Sequence, residues 1–146
     1  MYCNMKPTAK ATVAGNTKYP DIHGEVLFYQ QNCAVLVTAK ISGLPKNESG
    51  FHGFHIHEGK NCVGKDFPNT GGHHNHGDNP HPQHAGDLPP LLACNGSAFL
   101  QVRTNRFDVK DIIGKTVIIH ENVDNFTTQP SGNAGEKIAC GVIQRV

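Results

Sequence analysis

Short runs of β-branched and aromatic residues alternate with turn-forming sequences over the first third of the chain. The separators are Gly-Asn, Gln-Gln-Asn and Ser-Gly-Leu-Pro, all typical of turns. Similar runs resume near residue 91, and helical periodicity is almost absent. The predicted strands are residues 9–14, 24–29, 34–41, 53–58, 91–93, 97–102, 114–120 and 137–143. This pattern predicts an all-β fold, an eight-stranded antiparallel Greek-key barrel or sandwich.

Two long polar segments interrupt this pattern. Residues 59–90 consist mainly of Gly, Pro, Asn, His and Asp, and residues 121–135 are also polar. A structureless stretch as long as the first is unusual inside a small domain unless something else orders it, and metal ions would do so. The sequence shows no internal repeat and no boundary, so we expect a single domain over residues 1–146 with two long functional loops.

Charge and hydropathy exclude several functions. The 146 residues carry a net charge of +1 with histidine neutral, which argues against non-specific nucleic-acid binding and a polybasic membrane surface. No stretch approaches the length of a membrane span, and the first residues contain no apolar leader. We therefore expect a cytoplasmic protein without nucleic-acid or membrane partners, or an extracytoplasmic one if a leader was removed.

Ten histidines are unusual for this length, and the pair in His55-Ile56-His57 lies on a predicted strand. Residues two apart on a strand share a face, so both imidazoles can converge on one ion. His52 has the opposite parity, together with Phe54 and Ile56. We expect His52 to be a hydrogen-bonded core histidine and not a ligand.

More histidines and one carboxylate lie in the first polar segment: His73, His74, His76, His81, His84 and Asp87. Nitrogen and oxygen ligands in sets of four are typical of zinc. The alternative is a histidine-rich tract that binds metal adventitiously. Interspersed glycines and prolines favour a shaped site over such a tract. A further histidine, His120, ends an apolar strand and matters only if another site needs a ligand.

Several motifs occur in a fixed order along nearly the whole chain. They are Gly53–Glu58 (GFHIHE), Gly72-His73, His84–Leu88 (HAGDL), Val117–Glu121 (VIIHE), Gly132–Gly135 (GNAG) and Ala139–Ile143 (ACGVI). In this order they resemble the signatures of the Cu/Zn superoxide dismutase family, and the shortened segment between His73 and His84 is closest to compact bacterial members.

The resemblance implies two metal ions joined by one shared histidine, His73. It assigns copper to His55, His57, His73 and His120. It assigns zinc to His73, His81, His84 and Asp87. His76 is the alternative to His81 and stands where the family usually has Pro. Asp124 is implied as a carboxylate that hydrogen-bonds one copper histidine and one zinc histidine. The resemblance supplies no role for His74 or His76.

Five cysteines lack a CxxC pair, and their odd number leaves at least one free thiol in a monomer. The resemblance implies a disulfide between Cys62 and Cys140. The roles of Cys3, Cys33 and Cys94 are left open.

One position departs from the family. Lys137 stands where the family usually has the Arg that attracts and docks the substrate anion. Lysine keeps the charge but lacks the planar fork of arginine, and Glu136 weakens the local positive potential. We therefore expect function with a weaker docking site at Lys137.

The implied activity is the conversion of superoxide to dioxygen and hydrogen peroxide at a histidine-bridged copper–zinc pair. Two alternatives remain open: a catalytically weak or inactive zinc- or copper-binding relative of the same fold, and a metal buffer without a defined site. The sequence also allows a homodimer, because apolar strand faces that close a barrel look like those that close a dimer.

Overall fold

The computed structural model describes residues 5–146, which form mostly β-strands. In chain order these are β1 (Ala9–Gly15), β2 (His23–Gln30), β3 (Val35–Ser42), β4 (Phe51–His52), β5 (Phe54–His57), β6 (Leu91–Leu92), β7 (Ala98–Thr104), β8 (Thr116–His120) and β9 (Lys137–Arg145). The eight predicted strands are all present, with ends that differ by a few residues. The two-residue strand β4, the four-residue helix α1 (Val109–Ile112) and the 3-10 turn Pro68–Thr70 were not predicted. Over residues 5–146, no helix is long and apolar enough to span a bilayer.

Seven strands form one antiparallel sheet in the order β5-β8-β9-β1-β2-β3-β7, and β4 pairs with β6 separately. Strands β1, β2 and β3 follow one another as hairpins, and β9 returns to lie beside β1, as in a Greek key. The predicted all-β antiparallel architecture is therefore confirmed.

Alternating burial explains why most of these segments form strands around one core. In β1, Ala9, Ala11 and Val13 are buried, and the residues between them are exposed. Apolar residues from the other strands complete the core: Val26, Phe28, Val37, Phe54, Ile56, Val117, Ile119 and Ile143.

Strands β5 and β8 are buried on both faces. Their inner faces place apolar residues such as Phe54 and Ile56 in the core, as predicted. On the outer face, Ile118 packs against Phe67 and Cys140 in a second, smaller apolar cluster. The histidines of both strands therefore lie in a dry layer between the sheet and the loops that cover it.

The first loop (residues 58–90) runs along the edge of β5 that β8 leaves free. The amide of His74 donates to the carbonyl of Ile56 over 2.7 Å, and the amide of Ile56 donates to the carbonyl of Gly86 over 2.9 Å. The amide of Gly86 donates in turn to the carbonyl of His74 over 2.8 Å. Backbone hydrogen bonds thus hold this part of the first loop against β5.

A disulfide and an arginine attach the first loop to the rest of the barrel. Cys62 and Cys140 are bonded, which confirms the predicted pairing and ties the loop to β9. Arg106 donates to the carbonyl of Pro82 over 2.7 Å and to that of His84 over 3.3 Å. Cys33 and Cys94 are exposed free thiols, and Cys3 lies outside the described residues.

Candidate metal centre

Asp124, in the second loop (residues 121–136), joins two of the predicted ligands. Its buried carboxylate accepts hydrogen bonds of 2.7 Å from Nε2 of His55 and 2.7 Å from Nε2 of His81. A neutral imidazole carries one proton, so these bonds leave the Nδ1 atom of each ring as a lone pair. Those two Nδ1 atoms are buried and form no hydrogen bond, although Nδ1 of His81 lies 3.1 Å from Oδ2 of Asp87.

Backbone carbonyls fix His57 and His120 in the opposite tautomer, with the ring proton on Nδ1. Nδ1 of His57 donates to the carbonyl of Gly71 over 2.8 Å, and Nδ1 of His120 donates to that of Gly135 over 3.1 Å. Each Nε2 atom is therefore a lone pair, and the two Nε2 atoms lie 3.4 Å apart. Two buried lone pairs that face each other repel unless a cation or a hydrogen-bond donor lies between them, so this pair is suited to hold a metal ion.

His73 lies between two groups of side chains. Its Nδ1 is 2.7 Å from Oδ1 of Asp87 and 3.3 Å from Nδ1 of His84. The other carboxylate oxygen of Asp87 is 3.1 Å from Nδ1 of His81 and 3.2 Å from Nδ1 of His84. On its opposite edge, Nε2 of His73 is buried without a partner. The two ring nitrogens of His73 therefore face two different sites.

Seven predicted ligands come together in two groups, within each of which the potential ligand atoms lie within 4.8 Å of one another. The four-histidine cluster contains His55, His57, His73 and His120. The mixed cluster contains His73, His81, His84 and Asp87. The structure thus places His81 in the mixed cluster, and His76 belongs to neither cluster over the described part of the chain.

The donor sets and the unpartnered buried nitrogens fit two metal ions. Four imidazoles suit copper, whereas three imidazoles with one carboxylate suit tetrahedral zinc. Four of the rings use their other nitrogen for a carboxylate or a carbonyl, the outer contact that orients metal-bound histidines: His55, His57, His81 and His120.

Electrostatics favours the protonation states that bind metals. Burial, followed by the nearby charge of His55, lowers the pKa of His120 to about 3. Burial, with His120 and His73 nearby, also holds the pKa of His57 well below its ordinary value. Burial alone would raise the pKa of Asp124, but the hydrogen bonds from His55 and His81 outweigh it and lower that pKa. Near neutral pH these groups are therefore neutral imidazoles and an ionised carboxylate.

Close packing around Asp124 requires a glycine at position 132. Gly132 has a φ of 78°, and a Cβ there would lie 2.0 Å from Oδ1 of Asp124 and 2.6 Å from Nε2 of His81. Any side chain at this position would displace the carboxylate or the ring.

Two supporting residues were not predicted from the sequence. Gln129 exchanges hydrogen bonds with the backbone of His81, accepting over 3.0 Å and donating over 2.8 Å. Arg106 holds the loop carbonyls described above. Both side chains bind backbone atoms, which no sequence motif reveals.

Lys137 lies half-buried at the edge of the four-histidine cluster, and its positive charge helps to lower the pKa of His120. Its ammonium group donates to the hydroxyl of Thr70 over 2.8 Å and to the carbonyl of Gly71 over 3.3 Å. The same carbonyl of Gly71 accepts from the copper-ligand candidate His57. Lys137 therefore also contacts the backbone that supports the cluster, and its role toward an anion stays a prediction.

Comparisons with known proteins agree with this geometry. The family described as copper/zinc superoxide dismutase matches residues 22–143. Superoxide dismutase [Cu-Zn] of Deinococcus radiodurans is 33% identical, over 97% of this chain and 86% of that protein. The protein of the same name from Legionella pneumophila is 34% identical, over 83% of this chain and 77% of that protein. Superoxide dismutase-like protein YojM of Bacillus subtilis is 38% identical, over 62% of this chain and 54% of that protein.

Proposed function

Because the chain belongs to the copper/zinc superoxide dismutase family, we propose that it converts superoxide to dioxygen and hydrogen peroxide, with copper in the four-histidine cluster and zinc in the mixed cluster. The observation that carries this proposal is the placement of His73, whose two ring nitrogens face the two clusters. The two donor sets fit a pair of metal ions that share one imidazole.

When bound, copper supplies the one-electron chemistry that zinc lacks. The protein's own residues set the conditions for that chemistry. Nε2 of His73 can hold a proton on the copper side while Nδ1 faces the mixed cluster. Asp124 fixes one ring of each cluster, so both donor sets keep their geometry. The proposed substrate is the superoxide anion, which the positive charge of Lys137 attracts.

A second candidate is a metal-binding relative with weak or no dismutase activity. Two observations favour it: the ammonium group of Lys137 is engaged by Thr70 and Gly71, and one relative is named as dismutase-like. Both candidates share the fold and both clusters, so only activity separates them.

The experiment is to load the metal-free protein with both metals, then measure metal content and superoxide disproportionation. The proposal predicts one copper and one zinc per chain and activity that requires copper. His57→Ala should remove copper and activity but leave zinc, since His57 belongs to the four-histidine cluster alone. His23→Ala, at an exposed histidine on β2, is the matched control. A fully loaded protein without activity would support the second candidate.

A further inference from the structure

His74 lies outside both clusters, yet it is buried, with 3% of its surface exposed. Its Nδ1 donates to Oε1 of Glu58 over 2.7 Å. The same oxygen accepts the backbone amide of Asn75 over 3.1 Å, and Oε2 pairs with the ammonium group of Lys115. Glu58 is thus held as an ionised acceptor, so the ring proton of His74 resides on Nδ1.

The other ring nitrogen of His74 has no hydrogen-bond partner. Nε2 is buried and presents a lone pair, and Oδ1 of the neighbouring Asn75 is also buried without a partner. A buried polar atom without a partner is destabilising, so such atoms usually meet an ion or water. The hydrogen bond to Glu58 gives Nδ1 of His74 a partner, but no described contact gives one to Nε2.

The ring of His76 packs edge-on against this histidine. The ring centroids of His74 and His76 are 4.5 Å apart, with an interplanar angle of 77°. In the mixed cluster, His73 and His84 have their centroids 5.3 Å apart. The exposed ring of His76 thus lies within the separation found between these two ligand candidates of the mixed cluster.

We propose that Nε2 of His74 and the ring of His76 form a third metal site, for a divalent ion of the zinc, copper or nickel class. Imidazole nitrogens suit these ions. A carboxylate bound to the far nitrogen of a metal-binding histidine, as Glu58 is bound to His74, is the usual outer support of such a ligand. The exposed side of His76 gives the ion a path from solvent, and water completes its coordination.

The proposal is tested on protein whose two clusters have been filled with copper and zinc. Ni²⁺ is titrated calorimetrically, while metal analysis monitors any release of copper or zinc. The wild type should bind one further equivalent of Ni²⁺ without releasing either metal. His76→Ala should weaken this binding by at least about tenfold, equivalent to about 1.4 kcal/mol. Glu58→Ala should weaken it by about 10- to 100-fold, the usual cost of losing the outer support of a ligand.

The control is His23→Ala, which removes another exposed histidine and should leave the additional equivalent intact. Because His76 is exposed, we expect His76→Ala to fold like the wild type. Absence of a further equivalent, or equal Ni²⁺ binding by wild type and His76→Ala, would overturn the proposal. The comparison counts ions and requires no dismutase activity, so its result is independent of the function proposed above.

Discussion

The ammonium group of Lys137 donates a 2.8 Å hydrogen bond to the hydroxyl of Thr70 at the edge of the four-histidine cluster. It also reaches the carbonyl of Gly71, which accepts the Nδ1 proton of His57. The lysine is therefore placed both to attract an anion through its charge and to support the backbone behind a proposed copper ligand. These two effects can be separated by substitution.

Attraction through charge predicts a graded series at Lys137. Lys137→Arg should change dismutation modestly, Lys137→Met should lower it, and Lys137→Glu should lower it most. High salt should slow the wild type more than Lys137→Met, because the screening length falls to about 3 Å at 1 M. The measurement is the rate of superoxide loss against ionic strength. An equal salt response in both proteins would show that Lys137 is not the attracting charge.

The matched control is Thr70→Val, which removes the hydrogen-bonding hydroxyl but keeps the lysine charge. Thr70 is buried, and valine has nearly the same shape. If Lys137 acts through charge, Thr70→Val should keep the salt dependence of the wild type. The Thr70 hydroxyl also donates to the carbonyl of Phe67 over 2.9 Å, so a loss of copper in Thr70→Val would show that this hydroxyl supports the cluster through the backbone.

Replacing Asp124 by Asn should weaken both metal sites. The carboxylate accepts from His55 and His81, whereas an amide has one acceptor oxygen and would present an N–H group to the other ring. Loss of such an outer contact usually costs about 10- to 100-fold in metal affinity. Competition with a chelator measures the affinity for zinc and for copper. Glu121→Gln, in the same loop, is the control because Glu121 binds Tyr19 and Lys18 instead. Unchanged affinity for both metals in Asp124→Asn would contradict this role.

The metal-free protein should lose stability as the pH falls below neutral. Burial lowers the folded-state pKa values of His57 and His120 below their ordinary 6.5, so the unfolded chain takes up these protons first. Stability conferred by the neutral rings is complete above about pH 6.5 and declines toward the folded pKa of His120, about 3. The lowered pKa of Asp124 acts in the same direction below its ordinary 3.8.

Urea unfolding at several pH values measures this effect. For each proton taken up on unfolding, the free energy of unfolding should fall by about 1.4 kcal/mol for every unit by which the pH is lowered between the unfolded and folded pKa values. The variant His120→Gln should show a shallower decline than the wild type, because it lacks one of the depressed groups. A stability that stays constant between neutral pH and about pH 4 would rule out these titrations as its source.

Removal of the disulfide should destabilise the protein and loosen the first loop. The bond joins Cys62 and Cys140, which are 78 residues apart. Closure of a loop of this length stabilises by up to about 4.5 kcal/mol on the chain-entropy model, and delivered values are often lower. The double variant Cys62→Ala/Cys140→Ala should therefore melt at a lower temperature and lose zinc faster. Cys94→Ala, at an exposed free thiol, should behave as the wild type. Equal melting temperatures would show that the backbone contacts of the loop suffice without the bond.

Strand periodicity predicted the parts of the fold where apolar and polar residues alternate. It also predicted that His55 and Phe54 would lie on opposite faces of β5, since adjacent strand residues alternate. Helix α1 has four residues, too few to show a 3.6-residue period, and β4 has two. Such elements are determined by contacts with distant segments.

The candidate site was predictable in its ligands but not in its supports. The histidines and Asp87 stand in recognisable order, whereas Arg106 and Gln129 act on backbone carbonyls and amides. The hydrogen bond between His74 and Glu58 was likewise not predictable, because Glu58 is held by Lys115, 57 residues away in the sequence. Contacts of this kind follow from the folded path of the first loop.

The carboxylate that spans the two clusters has a thermodynamic consequence. Since Asp124 orients one ring in each cluster and His73 belongs to both, we expect occupancy of one cluster to change the free energy of filling the other. Such coupling is reciprocal. If zinc tightens copper binding by a given factor, copper must tighten zinc binding by the same factor. With positive coupling, protein given too little metal would divide into empty and doubly filled molecules, with few half-filled ones. Native mass spectrometry at substoichiometric metal would reveal that distribution directly.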